Sequence, residues 1–154
     1  EEASAPWRAT AAGVCRHKID SVFSTGKNHR IILMGDLNDD PVNESVTVVL
    51  KATGNKKQLT GGKLFNPWVK SYKDGIGSLA YNDAWNLFDQ IIISPALLDT
   101  AQHQFHFKDA RIFNRNFLIA KTGRYKGYPK RTYSFNKYIG GYSDHFPTYI
   151  ILEK

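Results

Sequence analysis

Apolar side chains recur at helical spacing from the start of the chain, with Trp7, Ala11, Val14, Cys15, Ile19 and Val22 falling on one side of a wheel. With Ser4 as N-cap and Pro6 in the first turn, this spacing predicts an amphipathic helix over Ala5 to Ser24, ending near Gly26, with Cys15 as a small core residue. Arg30 to Met34 is a short apolar run led by Ile31 and Ile32 and stopped by Gly35-Asp36, the signature of a fully buried strand. Asn43 is placed to cap a second helix, Glu44 to Thr53, carrying Val46, Val49 and Leu50, with Gly54-Asn55 as its stop. Gln58 to Gly77 is irregular and basic, with a short helix expected around Phe65 to Tyr72. Two strands follow, Ser78 to Trp85 and Leu87 to Ser94, then a helical turn at Pro95 to Thr100. Phe105 and Phe107 alternate with Gln104, His106 and Lys108, a period of two that predicts a strand continuing toward Ile112. Asn114 to Asn136 is a second long, basic and aromatic loop region, and Phe146 to Leu152 is a closing strand. Helices alternate with strands early and strands dominate late, so the class is α/β with a largely antiparallel or mixed sheet.

Composition narrows this picture. A chain of 154 residues without internal repeats has room for one domain. No run approaches the ~18 to 20 apolar residues of a membrane span, so no transmembrane segment is expected and the chain is expected to be soluble. Glu1 to Arg8 lacks the basic-then-apolar order of a signal peptide; a leader already removed would leave no trace, so a secreted or periplasmic location stays open. The single cysteine excludes an internal disulfide framework and a multi-cysteine zinc site. Twenty-one Lys and Arg against 14 Asp and Glu give a net charge of +7, which points to an anionic partner, nucleic acid being one candidate.

Three short segments carry chemistry. Gly35-Asp36-Leu37-Asn38-Asp39-Asp40-Pro41 begins where a buried strand ends, and Asp36 and Asn38, two residues apart, would project from the same side of an extended segment. They would offer one acceptor for a metal or a water proton and one neutral donor for a developing oxyanion; the alternative is an ordinary turn. Asp89 interrupts the apolar strand Leu87 to Ile93, and a carboxylate there must be paired because burying it bare is costly. A histidine on a neighbouring strand would satisfy it. Ser143-Asp144-His145-Phe146-Pro147 precedes the last strand; in an extended backbone Asp144 and His145 face opposite ways and do different jobs. An imidazole suits a general base, and a carboxylate suits a hard cation such as Mg²⁺. A purely structural histidine at a strand entrance is the competing reading.

These motifs, in this order, resemble those of the endonuclease/exonuclease/phosphatase family of metal-dependent phosphoesterases, which includes pancreatic-type deoxyribonuclease, abasic-site endonucleases, inositol-polyphosphate phosphatases and neutral sphingomyelinases. Gly35-Asp36-Leu37-Asn38 with Pro41 is similar to the family's Gly-Asp-(aromatic or Leu)-Asn; Phe88-Asp89-Gln90-Ile91 with Ser94 is similar to its hydrophobic-Asp-x-Ile strand; Ser143 to Pro147 is similar to its terminal Ser-Asp-His-x-Pro. The resemblance implies that Asp36 orients or deprotonates the attacking water, Asn38 holds a phosphoryl oxygen and Asp89 pairs with His145. It also implies that Asp144, with Asp36, serves an Mg²⁺ or Mn²⁺ ion. The implied fold is the second half of a four-layer α/β/β/α two-sheet sandwich, and the implied reaction is hydrolysis of a phosphoester, most naturally a phosphodiester.

The family's principal metal-binding Glu, its early Asn and its Asn-x-His strand have no counterparts here. Glu1 and Glu2 stand too near the start of the sequence, and His17 and His29 lie in or just beyond the first helix. Residues 1–154 are therefore expected to be the C-terminal half of one such domain, to need an N-terminal half as partner and to be inactive alone. A phosphomonoesterase, a lipid phosphodiesterase and a non-catalytic binding module that keeps the fold remain as alternatives. His103 and His106 lack metal-like partners. The basic-aromatic stretch Tyr125 to Tyr138 can steer a phosphate and stack a base or sugar, the alternative being a solvated loop with its aromatics tucked onto the sheet; Arg131 is the first choice for the substrate phosphate, because a guanidinium contacts phosphate through two N–H groups, and Tyr133 accompanies it.

Overall fold

The computed structural model describes residues 2–26, 28–100 and 103–154. Helix α1 spans Ala5–Ser24, as its spacing predicts, yet it buries a different face. Ala12, Arg16 and Ile19 point inward with Phe23 beside them, whereas Trp7 is 76% and Val14 69% exposed and Cys15 is exposed. The cause is Arg16, whose Nη1 donates to the carbonyls of Leu50 at 3.1 Å and Gly62 at 3.0 Å while its Nε donates to Asp20 at 3.0 Å. A buried guanidinium that satisfies loop carbonyls is polar in sequence and central in space. Ser4 does not cap the helix through its side chain; its hydroxyl accepts from Arg8 instead.

Strand β1 is Ile32–Asp36, two residues later than the apolar run suggests. Next comes a π-type turn, Ser45–Val49, closed by the Leu50 N–H to the Ser45 carbonyl at 2.9 Å, in place of the expected α-helix over Glu44 to Thr53. Four consecutive β-branched residues, Val46 to Val49, disfavour a regular helix. Lys51, at φ +57°, ends the turn, and the chain passes at once into β2 (Ala52–Thr53). The Asn43 side chain accepts from the N–H of Asp40, at 3.1 Å, and so serves the preceding loop.

Strand β3 (Leu64–Phe65) takes Phe65, so helix α2 is confined to Trp68–Lys73. The expected strand Ser78 to Trp85 is a hairpin of β4 (Leu79–Tyr81) and β5 (Ala84–Asn86), folded at Asn82 and Asp83, both at positive φ as a tight two-residue hairpin requires. Strand β6 is Asp89–Ile93, β7 is His106–Ile112, β8 is Tyr133–Ser134, β9 is Lys137–Tyr138 and β10 is Thr148–Glu153. The main sheet has the order β1-β6-β3-β2, antiparallel except for the β2–β3 pair; β4–β5, β7–β10 and β8–β9 form separate antiparallel pairs.

β6 is the spine. Ile92 faces α1 and joins Ala12, Ile19, Val46, Leu50 and Leu64, while Ile91 and Ile93 face the β7–β10 ribbon through Ile150. The ribbon covers β6 but not β1. Leu33 therefore packs under α1, whereas Ile32 and Met34 on the opposite face are 41% and 72% exposed. The expectation that β1 is fully buried fails for this reason: it is an edge strand with a neighbour on one side only among the described residues.

Candidate active site

Antiparallel pairing of β1 with β6 makes Asp36, the last residue of β1, the direct cross-strand partner of Asp89, the first of β6. Two carboxylates thus share one end of the sheet. His145 comes to them on the turn before β10, held by its neighbour Phe146, which is buried, donates its N–H to the Ser78 carbonyl at 2.7 Å and stacks on Trp85 at 6.2 Å between ring centres. The His145 Nδ1 lies 2.8 Å from Asp89 Oδ2 and 3.9 Å from Asp36 Oδ2. The hydrogen bond from His145 to Asp89 raises the imidazole pKa above its ordinary value; burial opposes the rise, and the charges of Asp89, Asp144 and Asp36 add to it. With Nδ1 turned to Asp89, Nε2 is the ring nitrogen left for chemistry.

The loop after β1 is fastened by its own acidic residues and backbone. Asp39 is buried, accepts from Ser45 Oγ at 2.5 Å and lies 2.8 Å from Arg8 Nε, and its carbonyl accepts from Gln90 Nε2 at 2.6 Å. Asp40 Oδ1 accepts from the Leu87 N–H at 2.7 Å, and the Leu37 N–H donates to the Phe88 carbonyl at 2.8 Å. The loop is thereby tied to the entrance of β6. Asn38 does not continue an extended segment beside Asp36, contrary to the sequence-based expectation. It sits at φ +50°, and its backbone N–H donates to Asp36 Oδ1 at 2.9 Å, because the loop turns back to reach β6.

Asp144 and His145 do face different ways. Asp144 is exposed and lies outside the three-residue cluster; its Oδ2 is 3.9 Å from Arg131 Nη2. Arg131 and Tyr133 line one cavity of about 340 Å³ together with Thr132, Tyr142, Ser143 and Asp144, immediately before His145 in the chain. Tyr133 packs edge-on against Tyr138 at 5.5 Å. His106 lies 3.4 Å from Glu153, and His29 bonds Thr25 at 2.8 Å; neither joins the cluster. Glu1 and the side chain of Glu2 lie outside the described residues. Sequence reasoning missed Ser78, whose hydroxyl donates to Asp89 Oδ2. Only its place after Gly77, before an apolar strand, could have signalled it.

Asp36, Asp89 and His145 each offer a ligand atom within 4.8 Å of the others. Asp89 Oδ2 already accepts from His145 and Ser78, so it acts as the partner of the imidazole. Asp36 is the open carboxylate: it is exposed, its Oδ1 accepts from the Asn38 N–H, and its Oδ2 stands 3.9 Å from His145. An exposed carboxylate fits a hard divalent cation held from one side and completed by water and phosphate, as Mg²⁺ prefers.

The mixed α/β fold thus carries an Asp–His pair and an exposed carboxylate together at the mouth of its main sheet. The chain belongs to the Endonuclease/Exonuclease/phosphatase family, whose sequence model matches residues 1–154. Members of that family are hydrolytic enzymes of the phosphoesterase and nuclease type, and they typically use divalent metals. No curated protein and no solved structure matches the chain. No helix among the described residues is long and apolar enough to cross a membrane.

Proposed function

We propose that this chain carries the catalytic end of a divalent-cation-dependent phosphodiester hydrolase. The observation that supports it best is the Asp89–His145 hydrogen bond with Asp36 directly across the strand pair. Water attacks phosphorus in line, a P–O bond forms, and the bond to the leaving oxygen breaks. His145 takes the water's proton on Nε2, and Asp89 stabilises the resulting imidazolium; a well-placed base of this kind contributes about 10²- to 10⁴-fold. Asp36 orients the water, and Asn38 donates its side-chain amide to a phosphoryl oxygen. Arg131 and Tyr133 bind the substrate's phosphate and its flanking group in the adjoining cavity. Asp36 and Asp144 would hold Mg²⁺ or Mn²⁺, which supplies charge neutralisation on the phosphoryl oxygens when bound.

The proposal includes a second half-domain, supplied by an N-terminal segment outside this chain, that completes a four-layer sandwich. The open edge of β1, with Ile32 and Met34 exposed, supports it. So does a cavity of about 620 Å³ between α1 and β1, lined mostly by apolar groups such as Trp7, Ala11, Leu33 and Phe88 and including Asp36 and Asn38. The test is an assay of the complete protein on duplex DNA, RNA, phosphoinositide and sphingomyelin, with and without chelation. Turnover that requires Mg²⁺ or Mn²⁺ supports the reading. Full activity after exhaustive chelation refutes metal dependence, and binding without turnover favours an interaction module.

A further inference from the structure

Ser78 is fully buried and joins three separate parts of the site. Its N–H donates to the Asn86 carbonyl at 2.9 Å, at the end of β5; its carbonyl accepts from the Phe146 N–H at 2.7 Å, one residue after His145; and its hydroxyl donates to Asp89 Oδ2. That carboxylate oxygen is the one that accepts from His145 Nδ1 at 2.8 Å. One residue therefore fixes both members of the pair, Asp89 through its side chain and His145 through the backbone that carries it.

We propose that Ser78 is a positioning residue for the reaction, acting through Asp89. This rests on the hydrolytic role given above to the Asp89–His145 pair. A carboxylate on the first residue of a strand can rotate about its side-chain bonds, and a single histidine contact leaves that rotation free. The second donor fixes the carboxylate plane, so that Nδ1–H is met in line and Nε2 keeps one direction. The backbone is built for this contact. A Cβ at Gly77 would come within 2.3 Å of the Asn86 carbonyl oxygen, so only glycine lets the chain approach β5 closely enough to seat Ser78. Without the hydroxyl, Asp89 keeps the histidine but loses a charge-assisted bond where water has little access, and the imidazole's aim loosens.

The test uses the complete protein and two readouts. Ser78→Ala should lower kcat about 10- to 100-fold with KM unchanged, the loss expected for one hydrogen bond to a charged group felt in the transition state. Ser78→Thr should restore most of the rate, because it keeps the hydroxyl. In an Asp89→Asn background, Ser78→Ala should add no further loss, since the residue acts through Asp89. The second readout needs no turnover: the low-field ¹H NMR resonance of the His145 Nδ1 proton should move or broaden in Ser78→Ala and stay in Ser78→Thr. Wild-type kcat with an unmoved resonance in Ser78→Ala would overturn the proposal. So would losses in Ser78→Ala that add fully to those of Asp89→Asn, or that threonine does not rescue, because either marks a merely structural serine. If the wild-type protein hydrolyses no phosphoester, the proposed reaction fails, and the resonance alone decides whether Ser78 orients the pair.

Discussion

The mouth of the sheet and the segment between Asp109 and Asp144 treat charge in opposite ways. At the mouth, Asp36 and Asp89 are fixed by strand register and His145 by a buried neighbour, so the imidazole meets Asp89 at hydrogen-bond distance with Asp36 close by. The 34 residues from Ala110 to Ser143 hold eight Lys and Arg and no acid, which leaves 13 basic residues against 14 acidic in the rest of the chain. The whole positive excess of the protein thus lies in that one segment. Its aromatic rings are also displayed outward: Phe135, at the turn between β8 and β9, is 96% exposed, and Tyr133, Tyr138 and Tyr142 are exposed as well. A precise constellation needs short range and rigid strands, whereas attraction of a polyanionic substrate works over roughly a Debye length and tolerates a loop.

The comparison can be broken at its strongest point first. Residues 1–154 by themselves should show no phosphoesterase turnover and should self-associate, since Ile32, Met34, Trp7 and Val14 leave an apolar surface open. Activity should return when the N-terminal half is supplied as one chain or in trans. Sedimentation with a phosphodiester assay checks this, and a fully active monomer would dispose of the half-domain idea.

Within the complete protein, His145→Ala should lower kcat by about 10²- to 10⁴-fold with the fold intact by circular dichroism. A near-wild-type rate would remove His145 from the mechanism. By contrast, Arg131→Ala should raise KM more than it lowers kcat, and should flatten the dependence of kcat/KM on salt. A pure kcat defect there would mean that the loop belongs to the chemistry after all.

The pH response should also divide the two regions. Because folding raises the His145 pKa, its pairing contributes stability that is fully present below the unfolded imidazole value and is lost as pH rises through the folded one. NMR titration of the metal-free protein should place His145 above an ordinary histidine, and Asp89→Asn should lower it. Activity should accordingly rise with pH through the His145 transition, since the base must be unprotonated. The smallest effect is expected at the tip of the loop: Phe135→Ser should change stability by within about 0.5 kcal/mol, because that ring is 96% exposed. A large loss of melting temperature would reveal a hidden contact.

Much of this was legible in advance. Asp36, Asp89 and His145 are marked by short motifs at strand ends, and the structure brings all three together. Tyr133 and Arg131 share a cavity next to the third motif. Asn38 was legible as a residue but not as a geometry, because its φ of +50° comes from the loop's ties to Leu87 and Gln90, 47 and 51 residues away from their partners Asp40 and Asp39. The helix expected after Asn43 gives way to a π-type turn because four β-branched residues in a row outweigh the local capping signals.

Sequence by itself determined α1, the period-two strand β7, the largely antiparallel α/β class and the motif residues Asp36, Asp89 and His145 that meet at the sheet's mouth, since each depends on neighbours within a few residues. Tertiary structure alone decided which face of α1 is buried, because Arg16 turns inward only when the carbonyls of Leu50 and Gly62 await it. It likewise decided that β1 is an exposed edge, since that depends on how far the β7–β10 ribbon reaches. Ser78 was beyond the sequence for the same reason: its hydroxyl meets Asp89 only after β5 and β6 have come together, and no local pattern encodes a contact made by three segments at once.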